Sequence, residues 1–267
     1  MAITAAQVND LRNQTGLGMM ECKKALTEAD GNMELAADIV RKKYGAKMSG
    51  RTDRTSAEGQ ISVATSADGS KAAMVQLNTE TDFTAKNDGF KAVVDQLAVL
   101  ALAQPVGEVT CTDEMKALIS GISIKFGEVM ELKAGTVYGG EGHKVGSYVH
   151  FTGKVGSIID TTGGVSAEVL ANLGMHIVAA VPAPLGITEA DLPAELVAKE
   201  KAIAVDEAKA SGKPAEIAEK MAIGKLNKFI DSVALLRQPY VLDEKQQIKA
   251  ILPKGAEVKA FKKFVVG

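Results

Sequence analysis

A threonine, an aspartate and a phenylalanine stand side by side at positions 81–83, between a predicted strand and a predicted helix. A carboxylate beside a large apolar ring at the exit of a strand is suited to enter a pocket of another protein. The ring of Phe83 can wedge into packed side chains, while Asp82 competes for a cation or a hydrogen-bond donor. Read alone, Thr81-Asp82-Phe83 is weak evidence, because Asp-Phe pairs are common and most have no such role.

Other residues that could support catalysis or metal binding form no recognisable site. The sequence has neither a G-x-x-x-x-G-K-[ST] phosphate loop nor a G-x-S-x-G nucleophile motif. The histidines His143, His150 and His176 include no H-x-x-x-H pair. Cys22 and Cys111 are far apart, and two unrelated thiols in a reducing compartment are a better interpretation than a disulfide. The sequence therefore predicts a protein that is not an enzyme and that binds no metal and no cofactor.

Two further features have both a structural and a functional interpretation. His176 lies in the otherwise apolar segment 174–180, where a core or interface histidine is the default and a catalytic base the minority view. Met19 and Met20 precede a predicted helix, in which adjacent positions point about 100° apart. One methionine can therefore pack inward while the other joins an adaptable contact surface, although core packing of both is an equal alternative.

Composition limits the class of protein. The chain has 267 residues, 46% hydrophobic and 24% charged, with a formal net charge of −2 and a pI of about 6.0. A general nucleic-acid binder would carry a basic excess, so we expect no direct nucleic-acid binding. No apolar run approaches the ~18–20 residues of a membrane span, and the N-terminal segment resembles neither a signal peptide nor a transit peptide. We expect a cytoplasmic protein.

The first 45 residues predict a compact helical module. Thr4 is a good N-cap, and Gln7 completes a capping box. Val8 and Leu11 give the first helix one apolar stripe, and a third helix is predicted to end at Gly45. Residues 46–58 are polar and read as a linker.

The remaining sequence predicts an α+β fold with a helical hairpin. Residues 59–155 begin with a strand hairpin followed by an amphipathic helix and form a first core lobe. A second strand-then-helix cycle in residues 156–192, joined by a short helix and a strand in residues 243–267, forms a second core lobe. Residues 193–242 predict an antiparallel pair of helices that turns at Gly212-Lys213-Pro214, where glycine ends one helix and proline begins the next.

Several stretches together resemble a known family. The segment 11–26, the Thr81-Asp82-Phe83 loop, the segment 174–180 and the segment 213–221 are similar, in this order, to sequences of the elongation factor Ts family. The resemblance implies a ubiquitin-associated-like three-helix module, a two-lobed α+β core and a protruding helical hairpin. It implies exchange of guanine nucleotide on elongation factor Tu, the GTPase that delivers aminoacyl-tRNA to the ribosome.

The resemblance also implies roles for individual residues. Thr81, Asp82, Phe83 and Thr84 correspond to the loop that disturbs the magnesium site of elongation factor Tu. The partner-binding residues that it implies are Leu11, Met19 and Met20 in the first module and His176 in the second lobe. Thr84 stands where an aliphatic residue is usual in the family, so we expect a softer wedge.

Three other functions remain open on the sequence. A binding module that uses only residues 1–45, without exchange activity, would leave the core lobes dispensable. An enzyme with an unrecognised site would lose activity on substitution of His150 or His176. A non-specific RNA binder is disfavoured by the charge balance and by an aromatic content of 4%.

Overall fold

The computed structural model describes residues 3–49 and 56–267. Its first three helices are α1 (Ala5–Thr15), α2 (Met19–Glu28) and α3 (Met33–Ser49). The predicted capping box is confirmed, since Thr4 Oγ1 accepts from the backbone N–H of Gln7 at 3.2 Å and Gln7 Oε1 accepts from the backbone N–H of Thr4 at 3.0 Å. Gly16 ends α1 in the left-handed conformation, with φ 73°, which glycine adopts without strain.

Helix α3 is longer than predicted. It continues to Ser49 instead of ending at Gly45, and the first strand already begins at Glu58. A glycine inside a helix costs only about 1 kcal/mol relative to alanine, and the good helix formers after Gly45 continue the helix. The predicted linker of residues 46–58 is thus too long at both ends, and its residues 50–55 lie outside the described chain.

The first sheet and its helices consist of β1 (Glu58–Thr65), β2 (Lys71–Thr79), α4 (Asp82–Lys86), α5 (Asp88–Leu102), β3 (Gly107–Glu108), α6 (Asp113–Phe126) and β4 (Glu131–Gly139). The four strands form an antiparallel sheet with the order β1-β2-β4-β3. Helices α5 and α6 pack on it through a core that includes Phe90, Leu97 and Met115.

The N-terminal helices pack against α6. Their buried core, which includes Leu11 and Leu26, also contains Ile124 of α6. A Cβ atom at Gly16 would lie only 2.8 Å from Cγ of Lys125, so glycine is required for this close approach as well as for its left-handed backbone.

The second sheet and its helix consist of β5 (His143–Val149), β6 (Val155–Thr162), α7 (Ala167–Ala179) and, near the C-terminus, β9 (Glu257–Val265). The three strands form an antiparallel sheet with the order β5-β6-β9. Helix α7 covers the sheet through a core that includes Ile159, Leu173 and Ile177. Hydrogen bonding thus places β5 in the second sheet, whereas the predicted first lobe extended to residue 155 and included this strand. The sequence did not show the difference, because adjacent strands of similar composition do not reveal their pairing partners.

Two long helices form an antiparallel pair. They are α8 (Ala194–Ala210) and α9 (Ala215–Val233), and Gly212 turns the chain with φ 66°. The predicted hairpin extended to residue 242, but Leu235 and Tyr240 are buried in the core of the second sheet. The small elements of this part are β7 (Pro239–Tyr240), β8 (Asp243–Gln247) and α10 (Ile248–Ile251). Within the described ranges, no helix combines the length and the apolar character that crossing a membrane requires.

Candidate functional site

Residues 80–84, called the loop below, connect the end of β2 to α4 and include the first turn of that helix. Thr81 has an extended backbone and serves as the N-cap of α4, where its hydroxyl oxygen accepts from the backbone N–H of Thr84 at 3.3 Å. This cap satisfies one of the N–H groups that every helix start leaves unpaired. The loop therefore lies between a strand and a helix, as the sequence predicts, and it has a defined conformation.

Asp82 and Phe83 are presented outward from the first turn of α4. The ring of Phe83 is 83% exposed. Lys86, one helical turn later, donates to Asp82 Oδ2 at 2.7 Å, and this hydrogen bond holds the pKa of the Asp82 carboxyl below its usual value. An ionised carboxylate and an unpacked aromatic ring thus stand side by side on the surface.

Glu128 fixes the loop through hydrogen bonds to its threonines, on the side that faces the protein interior. It follows α6 and accepts four hydrogen bonds through its two carboxylate oxygens. Oε1 accepts from the hydroxyls of Thr81 (2.6 Å) and Thr84 (2.7 Å), and Oε2 accepts from the hydroxyl of Thr79 (2.7 Å) and the backbone N–H of Thr81 (3.2 Å). Burial by itself would raise the pKa of Glu128, but the hydrogen bonds from Thr81, Thr79 and Thr84 outweigh it and the pKa is lowered. Glu128 is therefore an ionised acceptor around which the loop is built.

Glu128 was not identified by sequence reasoning. The available signal was the triplet of hydroxyls at positions 79, 81 and 84, because three buried or half-buried threonines need an acceptor. Nothing in the sequence says that this acceptor comes from 44–49 residues further on. Glu80 supports the same junction, since its Oε1 accepts from the backbone N–H of Val129 at 2.8 Å.

Thr84 lies on the inner side of the loop. Its side chain is buried and its hydroxyl is bonded to Glu128. We expected Thr84 to soften the surface that intrudes into the partner, which would require its side chain to be part of that surface. The structure instead makes Thr84 a support of the loop, because a buried side chain cannot contact a second protein directly.

The N-terminal residues separate into two groups. Met19 and Met20, in the first turn of α2, are 48% and 66% exposed, so both are available to a partner. Leu11 is fully buried in the core of the three helices. Its assignment as a partner-binding residue is therefore corrected: the apolar stripe of α1 faces the other helices, and Leu11 can act only through their packing.

His176 is buried on α7 and has two hydrogen-bond partners. Its Nε2 lies 3.0 Å from Oε1 of Gln238, and the backbone N–H of Val241 donates to its Nδ1 at 3.3 Å. Gln238 uses its own amide nitrogen on the carbonyls of Pro182 (3.0 Å) and Ser232 (2.6 Å). These contacts assign the neutral tautomer with the proton on Nε2, and burial lowers the pKa of His176.

The structure thus places the sequence-predicted residues on separate elements. Residues 81–84 form one loop, the two methionines lie on α2, and His176 lies on α7 in the other half of the molecule. Among the described residues, no cluster of three or more histidine, cysteine, aspartate or glutamate side chains could hold a metal ion.

Comparison with known proteins identifies a family. A model of the family described as "Elongation factor TS" matches residues 80–267. Elongation factor Ts of Methylococcus capsulatus (strain Bath) is 40% identical over 276 residues, which cover 100% of this chain and 93% of the relative. The proteins of the same name from Alkalilimnicola ehrlichii and Teredinibacter turnerae are 38% and 37% identical, each over 100% of this chain and over 93% and 92% of their own length.

Proposed function

This chain belongs to the elongation factor Ts family, and from that premise we propose that Asp82 and Phe83 are the groups with which it opens the nucleotide site of its partner. The chain is a translation elongation factor that exchanges guanine nucleotide on elongation factor Tu. One observation carries the assignment to these two residues: a mostly exposed phenylalanine stands beside an ionised aspartate, on a loop that hydrogen bonds to Glu128 hold in place.

Exchange requires no catalytic group in the factor. A GTPase holds its nucleotide partly through a magnesium ion that bridges the phosphates and the switch elements. A factor that binds the magnesium-free, nucleotide-free conformation more tightly weakens nucleotide binding by the same ratio by which nucleotide weakens binding of the factor. The factor therefore needs a surface that fits one conformation of its partner.

The outward loop is suited to this task. Burial of the Phe83 ring in the partner would supply about 1.5–3 kcal/mol. Asp82 need not bind the magnesium ion itself. Displacement of a partner helix by about 1 Å disturbs octahedral coordination, which tolerates little distortion. A loop fixed by Glu128 delivers this displacement better than a mobile one, because less conformational freedom is lost on binding.

The other parts of the chain would add affinity. We assign the first three helices to a ubiquitin-associated-like module that docks on the GTPase domain through Met19 and Met20, which are exposed methionines of the adaptable kind. The two sheets with their helices form the two lobes of the core, and α8 with α9 projects as a coiled-coil module. His176 contributes through the packing of the second lobe, because it is buried. The proposal places the protein in the cytoplasm with its partner.

Stopped-flow release of a fluorescent GDP analogue from elongation factor Tu tests the proposal. Wild-type protein should accelerate release in proportion to its concentration, and the double variant Asp82→Ala/Phe83→Ala should lose most of this acceleration. Val99→Ala is the matched control, since it removes another exposed apolar side chain, on α5. If the double variant released GDP at the wild-type rate, the assignment of these two residues would be wrong. If the wild type caused no acceleration, the exchange function itself would fail.

A further inference from the structure

A cleft opens directly beside Asp82. Helices α4 and α5 form one wall, which includes Asp82, Lys86 and Val94. Strand β1 forms the floor at residues 60–62, and the turn between β5 and β6, at residues 150–154, forms the opposite wall. The cleft is thus continuous with the surface to which the proposed function assigns partner contact.

Phe151 stands at the rim of the opposite wall. Its ring is 92% exposed, and it contacts the ring of His150 with centroids 4.2 Å apart. All seven phenylalanines of the sequence lie in the described ranges, and only Phe83 and Phe151 are mostly exposed. Phe151 lines the cleft on one side, and Phe83 lies next to Asp82, which lines the cleft on the other side.

The turn that carries Phe151 is fixed in place. The backbone N–H of His150 donates to the carbonyl of Val155 at 2.9 Å, and that of Gly153 donates to the carbonyl of His150 at 2.7 Å. The turn is also joined to β1, because the N–H of Ile61 donates to the carbonyl of Gly153 at 2.9 Å. A side chain on a backbone held this way loses little freedom when a partner covers it, which favours a contact role.

The charges at the cleft favour a protein over a small anion. Lys86 is paired with Asp82, and Lys154 is paired with Glu58. Lys91, a third cation that lines the cleft, lies 3.6 Å from Asp88. Because each of these lysines faces a carboxylate, the cleft has no excess positive charge for a phosphate. Exposed aromatic rings with a rim of paired charges are typical of a protein–protein interface.

We propose that Phe151 is a second contact residue for elongation factor Tu, across the cleft from Asp82 and Phe83. This inference rests on the proposed function and extends its surface. Phe83 disturbs the nucleotide site, whereas Phe151 adds affinity by packing against an apolar patch of the same partner. The two rings would then hold the partner on both sides of the cleft, which fixes the orientation in which Asp82 approaches.

The two roles predict different kinetic effects. Phe151→Ala should weaken binding of nucleotide-free elongation factor Tu about tenfold, mainly through faster dissociation. The maximal rate of GDP release at a saturating concentration of this variant should stay within about twofold of the wild-type rate, because Asp82 and Phe83, which disturb the nucleotide site, are intact. Phe83→Ala should instead lower the maximal rate. Phe151→Leu should retain most of the affinity, and Val99→Ala should match the wild type in both measurements.

A contact can also be observed directly. The photo-reactive amino acid p-benzoylphenylalanine at position 151 should cross-link to elongation factor Tu on irradiation, and the same group at position 99 should not. Wild-type affinity of Phe151→Ala together with no cross-link from position 151 would overturn the inference while leaving the exchange function intact. A lowered maximal rate with unchanged affinity would also overturn it. Absence of exchange by the wild type would instead reject the proposed function.

Discussion

The hydroxyl of Thr81 donates a 2.6 Å hydrogen bond to Glu128 while its oxygen also accepts from the backbone N–H of Thr84. One side chain thus caps α4 and ties that helix to the end of α6. Asp82 and Phe83 follow immediately, so their direction depends on a carboxylate 45 or more residues away in the sequence. The sequence pattern indicated no role for Glu128, yet its hydrogen bonds fix the conformation of the proposed exchange loop.

Substitution of Glu128 should therefore reduce exchange without removing a contact residue. In Glu128→Gln, an NH2 group replaces one of the two acceptor oxygens, and this group cannot accept either of the two hydrogen bonds that the replaced oxygen receives. We expect about a tenfold slower stimulated GDP release, with the N-terminal helices still folded. Glu131→Gln is the control, because the Glu131 side chain is exposed and pairs with Lys133 on the surface at 3.9 Å, a kind of contact that adds little stability.

A double-substitution cycle separates positioning from general damage. If Glu128 acts through the loop, Glu128→Gln should have almost no further effect on GDP release in an Asp82→Ala/Phe83→Ala background, because both groups that the loop presents are then absent. Additive losses in the double variant would show that Glu128 contributes by another route. Wild-type exchange by Glu128→Gln alone would show that the three threonines keep the loop in place without the second oxygen.

Local patterns predicted local structure well in this chain. The capping box of Thr4 and Gln7 depends on residues three apart and was confirmed. The end of α3 was missed because Gly45 is only a weak helix breaker. The partner of β5 and the hydrogen bonds to Glu128 were not predictable, since both join segments that are distant in sequence.

The candidate site was also only partly predictable. The residue types at positions 82 and 83 indicated a contact site, and the structure leaves Phe83 exposed. Leu11 had two interpretations: its position on the apolar stripe of α1 indicated the core, whereas the family resemblance indicated the partner. Its complete burial supports the first interpretation.

Substitution of buried Leu11 should consequently lower the stability of the N-terminal helices, whereas substitution of exposed Met20 should weaken binding of the partner. Leu11→Ala leaves a cavity in a small core and should destabilise the N-terminal helices by about 2–5 kcal/mol. Met20→Ala removes an exposed side chain and should change stability by no more than about 0.5 kcal/mol, while weakening the complex with elongation factor Tu severalfold. Amide hydrogen exchange of residues 5–28 measures the first effect, and titration calorimetry the second. Full amide protection in Leu11→Ala would contradict the packing role.

His176 should make the stability of the protein depend on pH below about pH 6.5. Its Nδ1 accepts from Val241, so a proton there would break that hydrogen bond, and burial lowers the pKa of the imidazole. The unfolded chain therefore takes up a proton at a higher pH than the folded chain, and acidification from pH 7.5 to 5.5 favours unfolding by at most about 1.4 kcal/mol. Urea unfolding at both pH values should show this loss in the wild type and in His150→Gln, but not in His176→Gln. An equal loss in His176→Gln would mean that another group carries the pH dependence.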